Sequence, residues 1–164
     1  MRLYKKEERV DYYSCIVAFS LLAMLCLTML VKANVLIKEE QKKRFYLSYT
    51  LIIISLISEW GAIAMNGMPL WSISFHKFIK LIDYIITPVA GMFFYRQVSN
   101  KKLDFFPISI MVINLAIQIC SLFTGWTFYI DDLNIYRHGE YYWFYIIIYI
   151  LSIIYVVYGF LTWL

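Results

Sequence analysis

The sequence predicts an all-α fold: a polytopic transmembrane bundle of about five spans forming a single domain over residues 1–164. Composition is the first observation behind this. Hydrophobic residues make up 62% of the chain and charged residues 16%, against roughly 45–50% and about 25% in a soluble domain. The second is segment length. Several apolar runs reach the ~20 residues that a helix needs to cross a bilayer. The third is that the connections between runs are short and polar, as expected for one compact helical bundle. The net charge of +4 lies on those flanks. It suits contact with anionic lipid heads and does not argue for nucleic acid.

The first span is placed at 12–37. Its uncharged stretch is longer than a signal-peptide core of about 7–15 residues and lacks a small-residue cleavage site, so it reads as an uncleaved span. A charged turn, 38–44, leads to the second span at 45–65. This span carries Glu59 near its far end and places Ser48, Ser55, Glu59 and Ala62 on one face. Gly67 and Pro69 mark a turn in 66–75.

The third span, 76–98, is the most polar. Lys77, Lys80, Tyr84, Pro88 and Gly91 share a face, and Asp83 lies one turn from Lys80. Pro88 removes a backbone hydrogen bond and predicts a kink, with Gly91 allowing close helix approach, so this pair is the candidate conformational hinge. The fourth span, 105–125, sets Asn114 and Gln118 on one face at i,i+4. A longer connection, 126–140, precedes the fifth span at 141–164, where Tyr142, Tyr145, Tyr149 and Ser152 form a hydroxyl stripe. That stripe reads chiefly as packing or interface anchoring. The fifth span has no charge and no basic anchor after Leu164, so the sequence predicts the membrane half of a longer unit separated from its output.

Lys and Arg distribution predicts orientation. The first and third connections with their flanks hold Lys38, Lys42, Lys43, Arg44, Arg96, Lys101 and Lys102, which places them in the cytoplasm. The N-terminus is then outside and the C-terminal end inside. Trp60, Trp71, Trp126 and Trp143 fall towards the proposed outer ends, as an aromatic belt requires. Arg2, Lys5, Lys6 and Arg9 in the N-terminal tail weigh on the other side.

Charges inside spans raise a functional hypothesis. Glu59 sits ~9 Å below the outer end of its helix and Asp83 ~10 Å below the start of the next, at 1.5 Å per residue. Lys80 lies a turn shallower, positioned to pair with Glu59 across the helices and with Asp83 at i+3. The candidate ligand-binding set is therefore Glu59, Trp60, Lys80, Asp83, Tyr84, Asn114, Gln118, Tyr142 and Tyr145. They would line an outward-opening pocket for a small ligand; the alternative is a satisfied polar network that holds the bundle together. His76 and His138 read as interface residues, and the lack of a second histidine at helical spacing argues against haem. Cys15, Cys26 and Cys120 lie in apolar runs without metal-ligand spacing and read as small packing residues. Phosphate-binding, dinucleotide, zinc-protease and nucleophile-elbow motifs are missing, so neither catalysis nor a cofactor is expected.

Three stretches carry a family resemblance: VKANVLI at 31–37, SEWGAIAMNG at 58–67 running on to HKFIKLIDYIITPVAG at 76–91, and TFYIDDLNIYRHG at 127–139. Together they resemble the N-terminal multi-span sensor region of Firmicutes GGDEF-type diguanylate cyclases. The resemblance covers most of the chain. It implies a bacterial inner-membrane sensor that biases a cytoplasmic cyclase domain, with a homodimer as one partner arrangement. The Gly-Gly-Asp/Glu-Glu-Phe signature is absent from this sequence, so the resemblance implies a sensor without its enzyme. The competing expectations are a small membrane subunit of a transporter, and an ion- or proton-handling protein that uses Glu59 and Asp83.

Overall fold

The computed structural model describes the backbone of residues 2–69, 72–99 and 105–163, and the side chains of those ranges apart from 2–10, 97–99, 160, 162 and 163. Five helices and one small hairpin follow in order: α1 Arg2–Ala33, α2 Glu39–Met65, α3 Ile73–Ser99, α4 Phe105–Thr124, β1 Phe128–Ile130, β2 Tyr136–His138 and α5 Tyr142–Trp163. All five helices are long and apolar enough to cross a membrane.

The helix ends depart from the expected spans for local reasons. α1 stops at Ala33, four residues short of 37, because Asn34 Oδ1 accepts the Leu36 N–H at 2.9 Å and turns the chain. The expected turn at 38–44 is largely helix. α2 begins at Glu39, where Glu39 and Glu40 meet the positive end of the helix dipole and Gln41 Oε1 accepts the Lys38 N–H at 3.3 Å. Lys42 pairs with Glu39 at 3.0 Å one turn away. α3 starts three residues before 76. α4 ends at Thr124 because Gly125 adopts φ 71°, where a glycine carries no steric penalty. Lys101, Lys102, Trp71 and Leu164, used above for orientation and chain end, lie outside the described residues.

α3 is the central helix. It packs against α2 on one side and α5 on the other, with α4 and β1 also touching it. α1 contacts α2 and leaves Phe19, Leu22, Leu25, Met29 and Leu30 exposed, as befits a helix immersed in lipid. Two hydrogen bonds tie it down: Trp60 Nε1 to Ser14 Oγ at 2.9 Å near one end and Lys42 Nζ to the Lys32 carbonyl at 3.4 Å near the other. α4 buries Pro107, Ile110, Asn114, Gln118 and Ser121, a stripe at helical spacing that faces its neighbours. Cys15, Cys26 and Cys120 are free thiols on exposed surfaces, not the packing residues expected.

Two side-chain clusters form the core. Towards the hairpin end, Tyr84, Phe128 and Tyr145 pack together, flanked by Leu81, Leu122 and Ile146. Further along the bundle, Met92, Ile110 and Ile148 form the second. Gly91 lets α3 approach α5: a Cβ there would meet Ser152 Oγ at 3.3 Å.

Pro88 leaves α3 as one element, Ile73–Ser99. A proline lacks the N–H that would bond the carbonyl four residues back. That carbonyl belongs to Tyr84, and it accepts instead from Asn114 Nδ2 at 3.0 Å. The fourth helix thus satisfies the group that the proline leaves open.

The hairpin is the element that the sequence did not foretell. It pairs antiparallel, Phe128 with His138 and Ile130 with Tyr136. Its tip turns through Asp131, whose Oδ1 accepts the Leu133 N–H at 3.0 Å and the Ile135 N–H at 2.9 Å. Asn134 sits at φ 56°, a left-handed conformation that asparagine tolerates. Its side chain is fully buried and fastens the tip to the α2–α3 turn. Nδ2 donates to Ser72 Oγ at 2.6 Å and to the Met68 carbonyl at 3.2 Å, while Oδ1 meets His76 Nδ1 at 2.9 Å. Asn66 Oδ1 receives the Tyr136 N–H at 2.8 Å. His76 is therefore a buried clamp and not an interface residue; its Nε2 makes no hydrogen bond of ordinary geometry, the Ala62 carbonyl being the neighbouring acceptor.

Candidate functional site

The polar residues of the spans converge beneath the hairpin. Lys80 and Asp83 lie one turn apart on α3 and form an ion pair at 2.7 Å, with side chains only 13% and 10% exposed. The Lys80 ammonium also stands over two aromatic rings, 5.2 Å from the centre of Tyr84 and 4.9 Å from that of Tyr136. Tyr84 and Tyr136 hydroxyls hydrogen-bond each other, which joins α3 to β2. Below them Ser55 of α2 meets Thr87 of α3 at 2.7 Å. The Thr87 hydroxyl bonds back to the Asp83 carbonyl at 2.8 Å, so Ser55 is the donor in the cross-helix contact.

These groups surround a chamber of about 470 Å³. From α2 it receives Ser55 and Glu59, and from α3 Lys80, Asp83, Tyr84 and Thr87. Tyr142, Tyr145 and Tyr149 come from α5, Tyr136 and His138 from the hairpin, and Tyr13 from α1. Tyr145 packs edge-on to Tyr84 at 4.1 Å between ring centres, so the α5 stripe is anchored to α3 rather than to lipid. Burial holds the Tyr136 phenol above its usual pKa, and it stays a neutral hydrogen-bonding group.

The expected cross-helix pair is corrected. Among the described residues Lys80 pairs with Asp83 and makes no ion pair with Glu59. The i+3 geometry brings Lys80 and Asp83 together within one helix, whereas Glu59 projects from α2 on an exposed part of the surface. It lines the chamber without an ion-pair partner among the described residues.

Six of the nine candidate ligand residues meet here: Glu59, Lys80, Asp83, Tyr84, Tyr142 and Tyr145. The other three do not. Trp60 is turned to α1, where it donates to Ser14. Asn114 and Gln118 are wholly buried on α4 and form a structural relay. Gln118 Nε2 donates to Asn114 Oδ1 at 3.1 Å, and Thr127 Oγ1 donates to Gln118 Oε1 at 2.8 Å. This chain of bonds runs from the proline-freed carbonyl of Tyr84 to the base of the hairpin.

Thr87, Tyr149, Tyr13, Tyr136 and His138 were not singled out as site residues from sequence. The alternation of Tyr136 and His138 held a signal, since residues two apart share one face of a strand. A separate concavity of about 730 Å³ lies between the hairpin and the end of α4, with Lys77, His138 and Glu140 on its rim. It gathers much hairpin and loop surface and none of Glu59, Lys80 and Asp83. Among the described residues no group of three or more metal-ligating side chains forms. The chain matches no family model, no curated protein and no solved structure. The fold and the chamber define a class, a multi-pass helical membrane bundle with a polar cavity under an extramembrane hairpin.

Proposed function

We propose that this chain is the ligand-binding sensory part of a bacterial membrane signalling protein. It binds a small ligand in the chamber and controls a cytoplasmic output such as a diguanylate cyclase, and it has no catalysis of its own. The observation that carries this reading is the chamber itself: the nearly buried charges of Lys80 and Asp83, which cost free energy to place in a span, meet around a cavity with Glu59, which makes no ion pair among the described residues. The resemblance of 31–37, 58–91 and 127–139 to diguanylate cyclase sensor regions supports the same reading.

In this scheme the N-terminus and the hairpin are outside the cell and the C-terminal end of α5 is cytoplasmic. A ligand held between Glu59 on α2 and the tyrosines on α5 biases how these helices sit on α3, and α5 carries the shift to the output, in a monomer or a homodimer. Below Thr87 and Tyr149 the adjoining cavity is walled mainly by hydrocarbon. An ion path needs polar groups across the membrane depth, so this wall favours a ligand site over proton or cation passage.

The test is a fusion of the chain, through its C-terminal end, to a diguanylate cyclase reporter. Glu59→Gln changes cellular cyclic di-GMP several-fold at equal protein level. The paired replacement Lys80→Met with Asp83→Asn keeps the fold and also alters output. Unchanged output in both would return these residues to a purely structural role.

A further inference from the structure

We infer that the ligand is a cationic amphiphile, with a positively charged head in the chamber and a single alkyl chain in the groove beneath it, entering from the leaflet on the hairpin side. This deepens the ligand-binding reading above and rests on it.

The groove is the first observation. A second cavity, of about 600 Å³, adjoins the chamber and shares Ser55, Thr87 and Tyr149 with it as a common wall. α3 forms its floor with Ala90, Gly91 and Phe94; α2 and α5 form its sides, with Met24 and Leu27 of α1 at the rim. On all four helices the order is the same. Tyr13, Glu59, Lys80 and Tyr142 lie at the hairpin end, and Met24, Ile52, Phe94 and Val156 lie deeper. From Ser55 to Phe45 along α2 the groove runs ~15 Å, and from Thr87 to Phe94 along α3 ~10 Å, at 1.5 Å per residue. The two cavities lie end to end across this wall, polar at one end and apolar along the rest, the outline of a head and a chain.

Charge is the second observation. Among the described residues the ionisable groups of fixed sign around the chamber are Glu59, Asp83 and Lys80. Lys80 and Asp83 pair with each other at 2.7 Å, which leaves Glu59 as the carboxylate without an ion pair among those residues. Tyr13, Tyr142, Tyr145 and Tyr149 line the same chamber. A carboxylate with tyrosine faces recognises an organic cation. An anionic head would be repelled by the negative charge of Glu59. A bilayer chain of any kind will enter an open apolar groove, so the head group is what confers selectivity.

Thermal unfolding of the intact chain in maltoside micelles tests this with three probes: decyltrimethylammonium, decyl sulfate and tetramethylammonium. Decyltrimethylammonium is expected to protect at concentrations about tenfold lower than either of the others, the factor that one favourable charge or cation–π contact supplies. Glu59→Gln erases the preference for the cation over the sulfate. Val157→Trp, at a lipid-exposed position that lines the groove, erases the advantage of the chain and leaves the tetramethylammonium response intact. Because micelle partitioning is the same for each variant, differences between variants report the site. Equal protection by tetramethylammonium and its decyl analogue overturns the assignment of the groove and leaves the small-ligand reading standing. Equal protection by the two decyl probes overturns the charge assignment. If none of the three protects while Glu59→Gln still alters the cyclase reporter, the amphiphile inference alone fails; silence in both assays removes the ligand-binding reading as well.

Discussion

Lys80 is held three ways, by Asp83 at 2.7 Å and by the faces of Tyr84 and Tyr136. Removing the cation leaves Asp83 nearly buried with an uncompensated charge, which costs roughly 3–5 kcal/mol in a buried pair. Lys80→Met should therefore destabilise the detergent-solubilised bundle by up to that amount, and adding Asp83→Asn should recover much of the loss. Adding Glu59→Gln should instead be close to additive, because Glu59 makes no ion pair with Lys80. A double-mutant cycle by denaturant titration separates the two cases, and a large Glu59–Lys80 coupling would contradict the geometry. At the hairpin tip, Asp131 is held below its usual value of 3.8 chiefly by the Ile135 N–H, with the Arg137 side chain at 3.1 Å and the Leu133 N–H adding to the effect. A depressed carboxylate contributes stability above its unfolded pKa and loses it as pH falls through the folded one. The bonds that Asp131 accepts should thus be unaffected between pH 5 and 8 and loosen only below about 4. Amide shifts of Leu133 and Ile135 followed by NMR should titrate together with a midpoint below 3.8; a midpoint above it would show that these bonds do not hold the carboxylate.

α3 shows how one helix depends on another. Its proline is accommodated because α4 presents Asn114 to the Tyr84 carbonyl. Asn114→Ala should leave that carbonyl and Gln118 short of partners in the interior, at a cost of about 1–3 kcal/mol. Pro88→Ala restores an N–H one turn along, so Asn114→Ala combined with Pro88→Ala should be milder than Asn114→Ala alone. Equal destabilisation in the single and double variants would mean that Asn114 acts through packing and not through the freed carbonyl. The hairpin is an element of a different kind. Two strands of three residues each have no stability of their own in water. The hairpin persists because Asn134 and Tyr136 are bonded to the α2–α3 turn and Phe128 is buried against Tyr84. The same contacts place Tyr136 and His138 over the chamber, so the element that closes the site is the one held by distant partners.

Across the whole molecule, the proposed orientation sets the hairpin outside and the α1–α2 connection inside. With Cys15, Cys26 and Cys120 replaced by alanine, a cysteine introduced at Asp132 should label from outside intact cells and one at Lys43 only after permeabilisation; the reverse pattern would invert the sensor. Much of this architecture was legible without coordinates. Five helices were readable because a bilayer requires each backbone to satisfy its own hydrogen bonds, which writes long apolar runs into the chain. The Lys80–Asp83 pair was readable because i,i+3 neighbours meet on any helix. Glu59 and Asp83 were expected at one level on adjacent spans from the rise per residue, and both line the chamber. The cross-element partners of Asn114, Trp60 and Asn134 were not legible, because each lies on another element: Asn114 reaches the Tyr84 carbonyl, Trp60 reaches Ser14, and Asn134 reaches Ser72 and His76. Hydropathy is also silent on which face of a lipid-immersed helix meets its neighbours, since hydrocarbon tails are as apolar as leucine. By itself the sequence determined the five apolar helices and the local ion pair, consequences of the cost of an unpaired backbone and of helical spacing. Only the tertiary structure decided that Glu59 stands apart from Lys80, that a hairpin roofs the chamber and that an apolar groove continues below it, because those follow from which surfaces pack and not from the order of residues along any one helix.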